Sequence, residues 1–348
     1  MAMLRVAVVT NSLTGGGAER AMNILVNEFH SERMNVVLIP VNSSPQDLIS
    51  VRCPIFPLNR VWQSGLVSIL VATIKFNGLV RKLQPSIVIL NTDLPEFLGA
   101  FLFQRTKLIV VEHSSNPWSK RKLLGKLVRK ALKFKNSEWV SVSSHVKIWP
   151  KSQNPKIVIE NSLPHPTSIK LNTGKESLLR RLVFIGRLEA QDKRPQDFLE
   201  ICRQTKLPGV VIGTGLMSKH LENFSNQNEL RIDFIGYLHN PWDRYLPGDL
   251  LIVPSAREGD GLVILEGISS NVPILVSDIT ELRRFGFPRE NYCNGVAEFV
   301  SRISHFSQQL EKLIVPGDIV EQNLVNRNPT IICSKWIEYL KGLEIGSN

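Results

Sequence analysis

Apolar residues along this chain fall in short blocks separated by stretches of helical spacing. Mostly apolar runs read as strands buried on both faces at 4–10, 36–40, 87–91, 108–111, 139–142 and 156–160. Between them, apolar positions three and four apart predict helices at 18–29 and 65–83. The second half repeats the scheme, with strands at 182–185, 209–212, 231–235, 249–253 and 273–276 and helices at 196–203, 216–223 and 262–269. Short strands alternating with helices mean parallel sheets, and two such series make two doubly wound α/β domains. Ligands of such domains sit beyond the carboxyl ends of the strands. The segment 163–175, with three Pro or Gly residues, reads as the linker, and a last helix near 329–343 can cross back. The predicted division is a first domain of 1–164 with the C-terminal helix 329–348, and a second domain of 165–328.

Length agrees with two domains: 348 residues exceed one ordinary core. Composition narrows the class, because 43% apolar content is globular and no apolar run approaches the ~18 residues of a membrane span. The start lacks the pattern of a secretory signal, and the four cysteines, Cys53, Cys202, Cys293 and Cys333, are scattered as reduced thiols would be. A cytoplasmic protein is expected, peripheral on the inner face of a membrane if its basic helix binds lipid.

Charge changes the picture more. Lys and Arg outnumber Asp and Glu by 21 to 9 in residues 1–164, but stand at 21 to 22 in residues 165–348. The excess concentrates in 118–135, with eight basic residues and no acid. Wound as a helix, this segment sets Lys122, Lys126, Arg129 and Lys133 on one stripe and Leu123, Leu124, Leu127, Val128, Ala131 and Phe134 on the other. That suits a helix lying on an anionic bilayer. An ordinary surface helix packing its apolar stripe on its own domain explains the pattern equally well. With only Trp118 and Phe134 as aromatics and no recognisable binding module, no nucleic-acid partner is expected.

Candidate chemistry gathers at glycine turns. In Pro254-Ser255-Ala256-Arg257-Glu258-Gly259-Asp260-Gly261-Leu262-Val263-Ile264-Leu265-Glu266, a strand empties into two glycines and opens a helix. Amides at such a helix start attract phosphate or a sugar oxygen, and Glu266 can accept two hydrogen bonds from a vicinal diol. A plain strand-turn-helix corner with two surface acids accounts for the same residues. After the first strand of the second half, Gly186 is followed by Arg187 and Lys193, two cations able to hold and neutralise a diphosphate, or simply to be solvated. Gly213 and then Gly236-Tyr237 follow later strands, where backbone can line a flat base. Near the start, Gly15-Gly16-Gly17 opens a helix but lacks the third glycine of a dinucleotide fingerprint, since position 20 is Arg; the turn reads as cleft floor. No Asp-x-Asp pair exists to hold a divalent ion, so no metal and no cofactor are expected.

Taken together, Gly15-Gly16-Gly17-Ala18-Glu19-Arg20, Asn161, Gly186-Arg187-Leu188 through Lys193, Gly213-Thr214-Gly215, Phe234-Ile235-Gly236, and Glu258 with Glu266 in a Glu-x7-Glu frame resemble the retaining family-4 glycosyltransferases over nearly the whole chain. The resemblance implies GT-B architecture, two Rossmann-like domains facing across a cleft, with a nucleotide-diphosphate sugar on the second domain and a saccharide acceptor, lipid-linked by preference, on the first. It implies Arg187 and Lys193 on the diphosphate, Glu266 on the ribose, and Glu258 with the amides of Asp260, Gly261 and Leu262 on the sugar. It places Gly236 beside the base and His113 against the transferred sugar. UDP is preferred as the commoner nucleotide of similar enzymes; a sugar-nucleotide epimerase or a phosphorylase is the alternative on the same fold. Asp260 departs from the family pattern, which commonly has an apolar or aromatic residue there.

Overall fold

The computed structural model describes residues 4–13, 16–42, 51–60, 65–114, 116–151, 153–163 and 178–345. Two compact units are present, one of Met1–Pro164 with Arg327–Asn348 and one of His165–Asn326. Apart from Leu163, the linker predicted at 163–175 lies outside the described residues.

The first unit runs β1 (Arg5–Thr10), α1 (Gly17–Ser31), β2 (Asn35–Pro40), α2 (Leu66–Leu83), β3 (Ile87–Asn91), α3 (Asp93–Ala100), β4 (Lys107–Glu112), α4 (Lys122–Phe134), β5 (Glu138–Ser141) and β6 (Ile157–Val158). Its strands pair in parallel in the order β2-β1-β3-β4-β5-β6. Strand periodicity decides the packing: Val6 and Val8 of β1 enter a core with Phe29 of α1, while Ala7 and Val9 enter the opposite core with Phe76 of α2 and Leu132 of α4. Both faces being covered, the strands are apolar throughout rather than alternating. The first core also takes Trp336 and Leu340 of the last helix, Pro329–Ile345, which therefore belongs to this unit. Its entry is fastened by the Leu163 amide donating to the Arg327 carbonyl (3.0 Å) and by Arg327 Nη1 donating to the Asn161 carbonyl (3.1 Å).

The second unit runs β7 (Arg181–Ile185), α5 (Pro195–Thr205), β8 (Gly209–Ile212), α6 (Ser218–Gln227), β9 (Ile232–Gly236), β10 (Asp249–Val253), α7 (Leu262–Ser269), β11 (Ile274–Ser277), α8 (Thr280–Arg283), β12 (Tyr292–Cys293), α9 (Gly295–Phe306) and α10 (Gly317–Leu324), so the last helix is α11. Parallel strands follow the order β12-β11-β10-β7-β8-β9. In each sheet the chain winds one way and then the other, which leaves a switch point between β1 and β3 in the first and between β7 and β10 in the second.

Helices α3, α8, α9 and α10 and strand β12 were not anticipated, the strand expected at 156–160 is only β6, and two other departures have a local cause. Helix α6 begins at Ser218 rather than 216, because the Ser218 hydroxyl donates to the Gly215 carbonyl (2.8 Å) and closes a turn there. Helix α4 begins at Lys122, four residues into the basic segment: Trp118 sits at φ +58° with its indole lodged beneath Gly125, where a Cβ would come within 2.4 Å of Trp118 Cγ.

Candidate functional site

The donor-side residues predicted in the second unit lie at or just past strand carboxyl ends, with Leu262 and Glu266 in the opening turns of α7. Gly186 follows β7, Gly213 follows β8, and Gly236 closes β9 with Tyr237 next to it. Their backbones interlock: the Gly186 amide donates to the Ile212 carbonyl (3.0 Å) and the Gly213 amide to the Gly236 carbonyl (2.8 Å). Gly213 has φ +143°, and a Cβ there would lie 1.9 Å from the Gly186 carbonyl oxygen, so only glycine fits.

At the switch point the loops after β7 and β10 meet. Lys193 Nζ lies 2.5 Å from Glu258 Oε2, a pair 65 residues apart in sequence, and the Glu258 side chain is only 8% exposed. Ser255 Oγ donates to the same carboxylate oxygen (3.4 Å), and the Ala256 amide donates to the Asp192 carbonyl (2.8 Å), which joins the two loops. At the other end of the two strands, Arg181 grips Asp249 through Nε (2.6 Å) and Nη2 (2.9 Å). Burial still holds the Asp249 carboxyl above its usual range, the arginine offsetting only part of the cost. Arg187 is exposed and pairs at 3.6 Å with Glu189, not with Glu258.

Helix α7 opens beside this pair. Gly261, at φ +70°, precedes Leu262, so the first-turn amides point back toward the loop end as an anion-attracting cluster. Glu266 is buried, and its Oε2 accepts a hydrogen bond from Trp242 Nε1 (2.9 Å). Sequence reasoning missed Trp242. A Pro-Trp step between two strands, here in the turn Pro241–Arg244, was the available signal, since a buried indole N–H requires an acceptor. Asp260 is buried as well and is held by Arg284.

In the first unit, Asn91 at the end of β3 donates to Thr10 Oγ1 at the end of β1 (3.1 Å) and to the Ala18 carbonyl (3.3 Å), across the switch point. His113, one residue past β4, lies with Nε2 2.6 Å from Asn91 Oδ1. Gly16 and Gly17 form the start of α1 beside this cluster, whereas Gly15 lies outside the described residues.

Helix α4 corrects the expected stripes. Arg129 is 3% exposed and clamped between Glu96 of α3 (Nη2 to Oε1, 2.6 Å) and Glu112 of β4 (Nη1 to Oε2, 2.5 Å), with Trp139 and Trp149 against its guanidinium. Burial raises the Glu112 carboxyl to about 8 even though Arg129 pulls it down. Leu123, Leu127 and Phe134, by contrast, are 80%, 67% and 78% exposed, so that part of the apolar stripe is not packed on its own domain. The inward face consists of Gly125, Val128, Arg129 and Leu132. A cation was predicted on the outer stripe, but two acids from neighbouring elements draw it inside. Among the described residues no helix is long and apolar enough to cross a membrane.

Residues 170–317 match the family model described as Glycosyl transferases group 1. An α-1,4-N-acetyl-D-galactosaminyltransferase of Campylobacter jejuni, whose name gives its acceptor as a GalNAc-GalNAc-diNAcBac saccharide on diphospho-undecaprenol, is 25% identical over 281 residues, 76% of this chain and 77% of the relative. Among solved structures, Anabaena HepE in complex with UDP and glucose superposes with a TM-score of 0.77 at 14% identity, covering 97% of this chain and 99% of that one. Sucrose-phosphate synthase from Thermosynechococcus elongatus does so at 0.75 and 15% identity, over 99% of this chain and 100% of the other. These likenesses show the fold: two parallel-sheet α/β domains of the GT-B glycosyltransferase type.

Proposed function

We propose that this protein, a glycosyltransferase of glycan biosynthesis, transfers a sugar from a UDP-sugar to a lipid-linked saccharide with retention of anomeric configuration. The observation that carries the proposal is the Lys193–Glu258 pair at the β7/β10 switch point, set beside the amide cluster of α7. A cation, a carboxylate and a helix start at one strand end match the three parts of a sugar diphosphate: leaving group, sugar hydroxyls and phosphate oxygens. When donor binds, Lys193 exchanges Glu258 for the diphosphate, with Arg187 as the second cation, and Glu258 turns to sugar hydroxyls. The bond from the anomeric carbon to the phosphate oxygen breaks, the acceptor oxygen bonds to the same face, and its proton passes to the departing phosphate oxygen. Charge on the leaving group is met by Lys193, Arg187 and the α7 amides, so the proposal requires no metal. Glu266, anchored by Trp242, takes the ribose diol; Gly186, Gly213, Gly236 and Tyr237 border the nucleotide; His113 with Gly16 and Gly17 serves the sugar and acceptor side.

UDP is favoured by the bound nucleotide of the Anabaena structure, and a lipid-linked acceptor by the Campylobacter relative's substrate. The outward Leu123, Leu127 and Phe134, flanked by Lys122, Lys126, Lys130 and Lys133, support docking of α4 on an anionic membrane surface. Val67, Leu70 and Ile74 of α2, a helix on the same side of the sheet, are exposed as well. A panel of UDP- and GDP-sugars, scored for binding and slow hydrolysis by the purified protein, tests the donor assignment. Selective response to one UDP-sugar supports it, and response to GDP-sugars alone refutes it.

A further inference from the structure

Asp260 is an acid lodged in the turn that this proposal gives to an anionic ligand, and its neighbours show how it is tolerated. Its side chain is 4% exposed, and Arg284 Nη2 donates both to its carboxylate (Oδ1, 3.1 Å) and to its carbonyl oxygen (2.5 Å). Arg284 is itself mostly covered, at 13% exposure, and its guanidinium carbon stands 4.7 Å from the centroid of the Phe285 ring. That ring also abuts the turn: a Cβ on Gly261 would meet Phe285 Cζ at 2.9 Å. Phe285 stacks in turn on Phe287 (5.4 Å), and its carbonyl accepts from Asn323 Nδ2 of α10 (2.9 Å). Arg284 therefore stands on a fixed base, unlike its neighbour Arg283, which is 65% exposed on Asp278.

From this we infer that Arg284 is a positioning and charge-compensating residue of the donor site, resting on the donor assignment above. An aspartate immediately before a helix start is well placed to cap that helix through its own amides. Here the helix follows Gly261, which has no side chain, and the Asp260 carboxylate is committed to Arg284. Two consequences follow. The first-turn amides of α7 keep their attraction for a diphosphate, and the negative charge beside them is neutralised by a cation that never has to leave. One residue thus sets both the shape of the Gly259-Asp260-Gly261 turn, by gripping its carbonyl, and the sign of the field at its mouth.

The test is a double-mutant cycle read by UDP binding and by donor KM against kcat, with thermal unfolding as a check on folding. Arg284→Met exposes the diphosphate to an uncompensated Asp260, and UDP affinity falls roughly tenfold or more while donor KM rises more than kcat falls. Asp260→Asn supplies the other single variant of the cycle, and Asp260→Asn with Arg284→Met recovers most of the lost UDP affinity, the remainder reporting the missing grip on the Asp260 carbonyl. Failure of the double variant to recover, or unchanged UDP affinity in a folded Arg284→Met, overturns the inference. Should Arg284→Met not fold, Arg284→Lys, which keeps charge but cannot span both oxygens, is expected to bind UDP with an intermediate loss; wild-type affinity in that variant overturns the inference equally. If the wild-type protein binds no nucleoside diphosphate, the donor assignment fails and takes this inference with it. Intact wild-type binding without rescue rejects the inference alone.

Discussion

Lys193→Ala separates the ion pair that lysine makes with Glu258 from the catalytic role proposed for it. It ends a 2.5 Å pair whose members are 19% and 8% exposed, so Glu258 is left as a nearly buried carboxylate without its cation. Breaking a fully buried pair costs about 3–5 kcal/mol, and exposed pairs are worth about 0–1 kcal/mol; with Lys193 partly solvated, the loss of stability falls between, at about 1–3 kcal/mol. Turnover suffers separately: removing one preorganised charge from a developing anion lowers kcat by roughly 100- to 1000-fold. The double variant Lys193→Ala with Glu258→Gln removes the stranded charge, so thermal stability recovers while turnover stays low. Steady-state kinetics at saturating donor, alongside thermal unfolding of all three proteins, measures both effects. Wild-type turnover in folded Lys193→Ala would refute the assignment, and stability that fails to recover in the double variant would refute the electrostatic explanation of the first loss.

Trp242→Phe deletes the N–H held by Glu266 Oε2 and should raise donor KM several-fold while costing roughly 1–2 kcal/mol of stability, measured by donor titration and unfolding. Glu112 supplies a pH dependence. Because its folded pKa, about 8, lies above the ordinary 4.5, the folded state binds the extra proton and stability falls as pH rises from about 4.5 to about 8. Glu112→Gln should lose that slope, so its stability relative to wild type grows with pH over that window in unfolding experiments; an unchanged difference would contradict the assignment. Replacing Leu123, Leu127 and Phe134 together by Asp should abolish flotation with anionic liposomes at low salt, since each outward apolar side chain contributes up to about 1.5–3 kcal/mol on burial. Failure of the wild-type protein to float would remove the docking surface.

Strands were the most legible part of the fold. Buried parallel strands are continuous apolar blocks, and 87–91, 209–212 and 249–253 coincide with β3, β8 and β10 to the residue, as 262–269 does with α7. Short elements with few apolar positions, α8 and β12 among them, carried too little pattern to read. At the proposed donor site the glycine turns were visible as motifs because Gly213 and Gly261 need conformations that other residues resist. What sequence could not show was pairing across long separations. Nothing local in Lys193 names Glu258, and nothing in Asp260 names Arg284, 24 residues away. Arg129 is the sharpest instance, because a helical wheel sends a charge outward unless acids from other elements meet it, and Glu96 and Glu112 lie 33 and 17 residues distant.

The central claim is transfer with retention from a UDP-sugar, and product stereochemistry tests it most directly. Incubating the purified protein with an α-linked UDP-sugar and a short diphospholipid-linked saccharide, then reading the new anomeric coupling by proton NMR, should show an α-linked product. A β-linked product, or donor consumption that yields an epimerised sugar nucleotide in place of a glycoside, would contradict it.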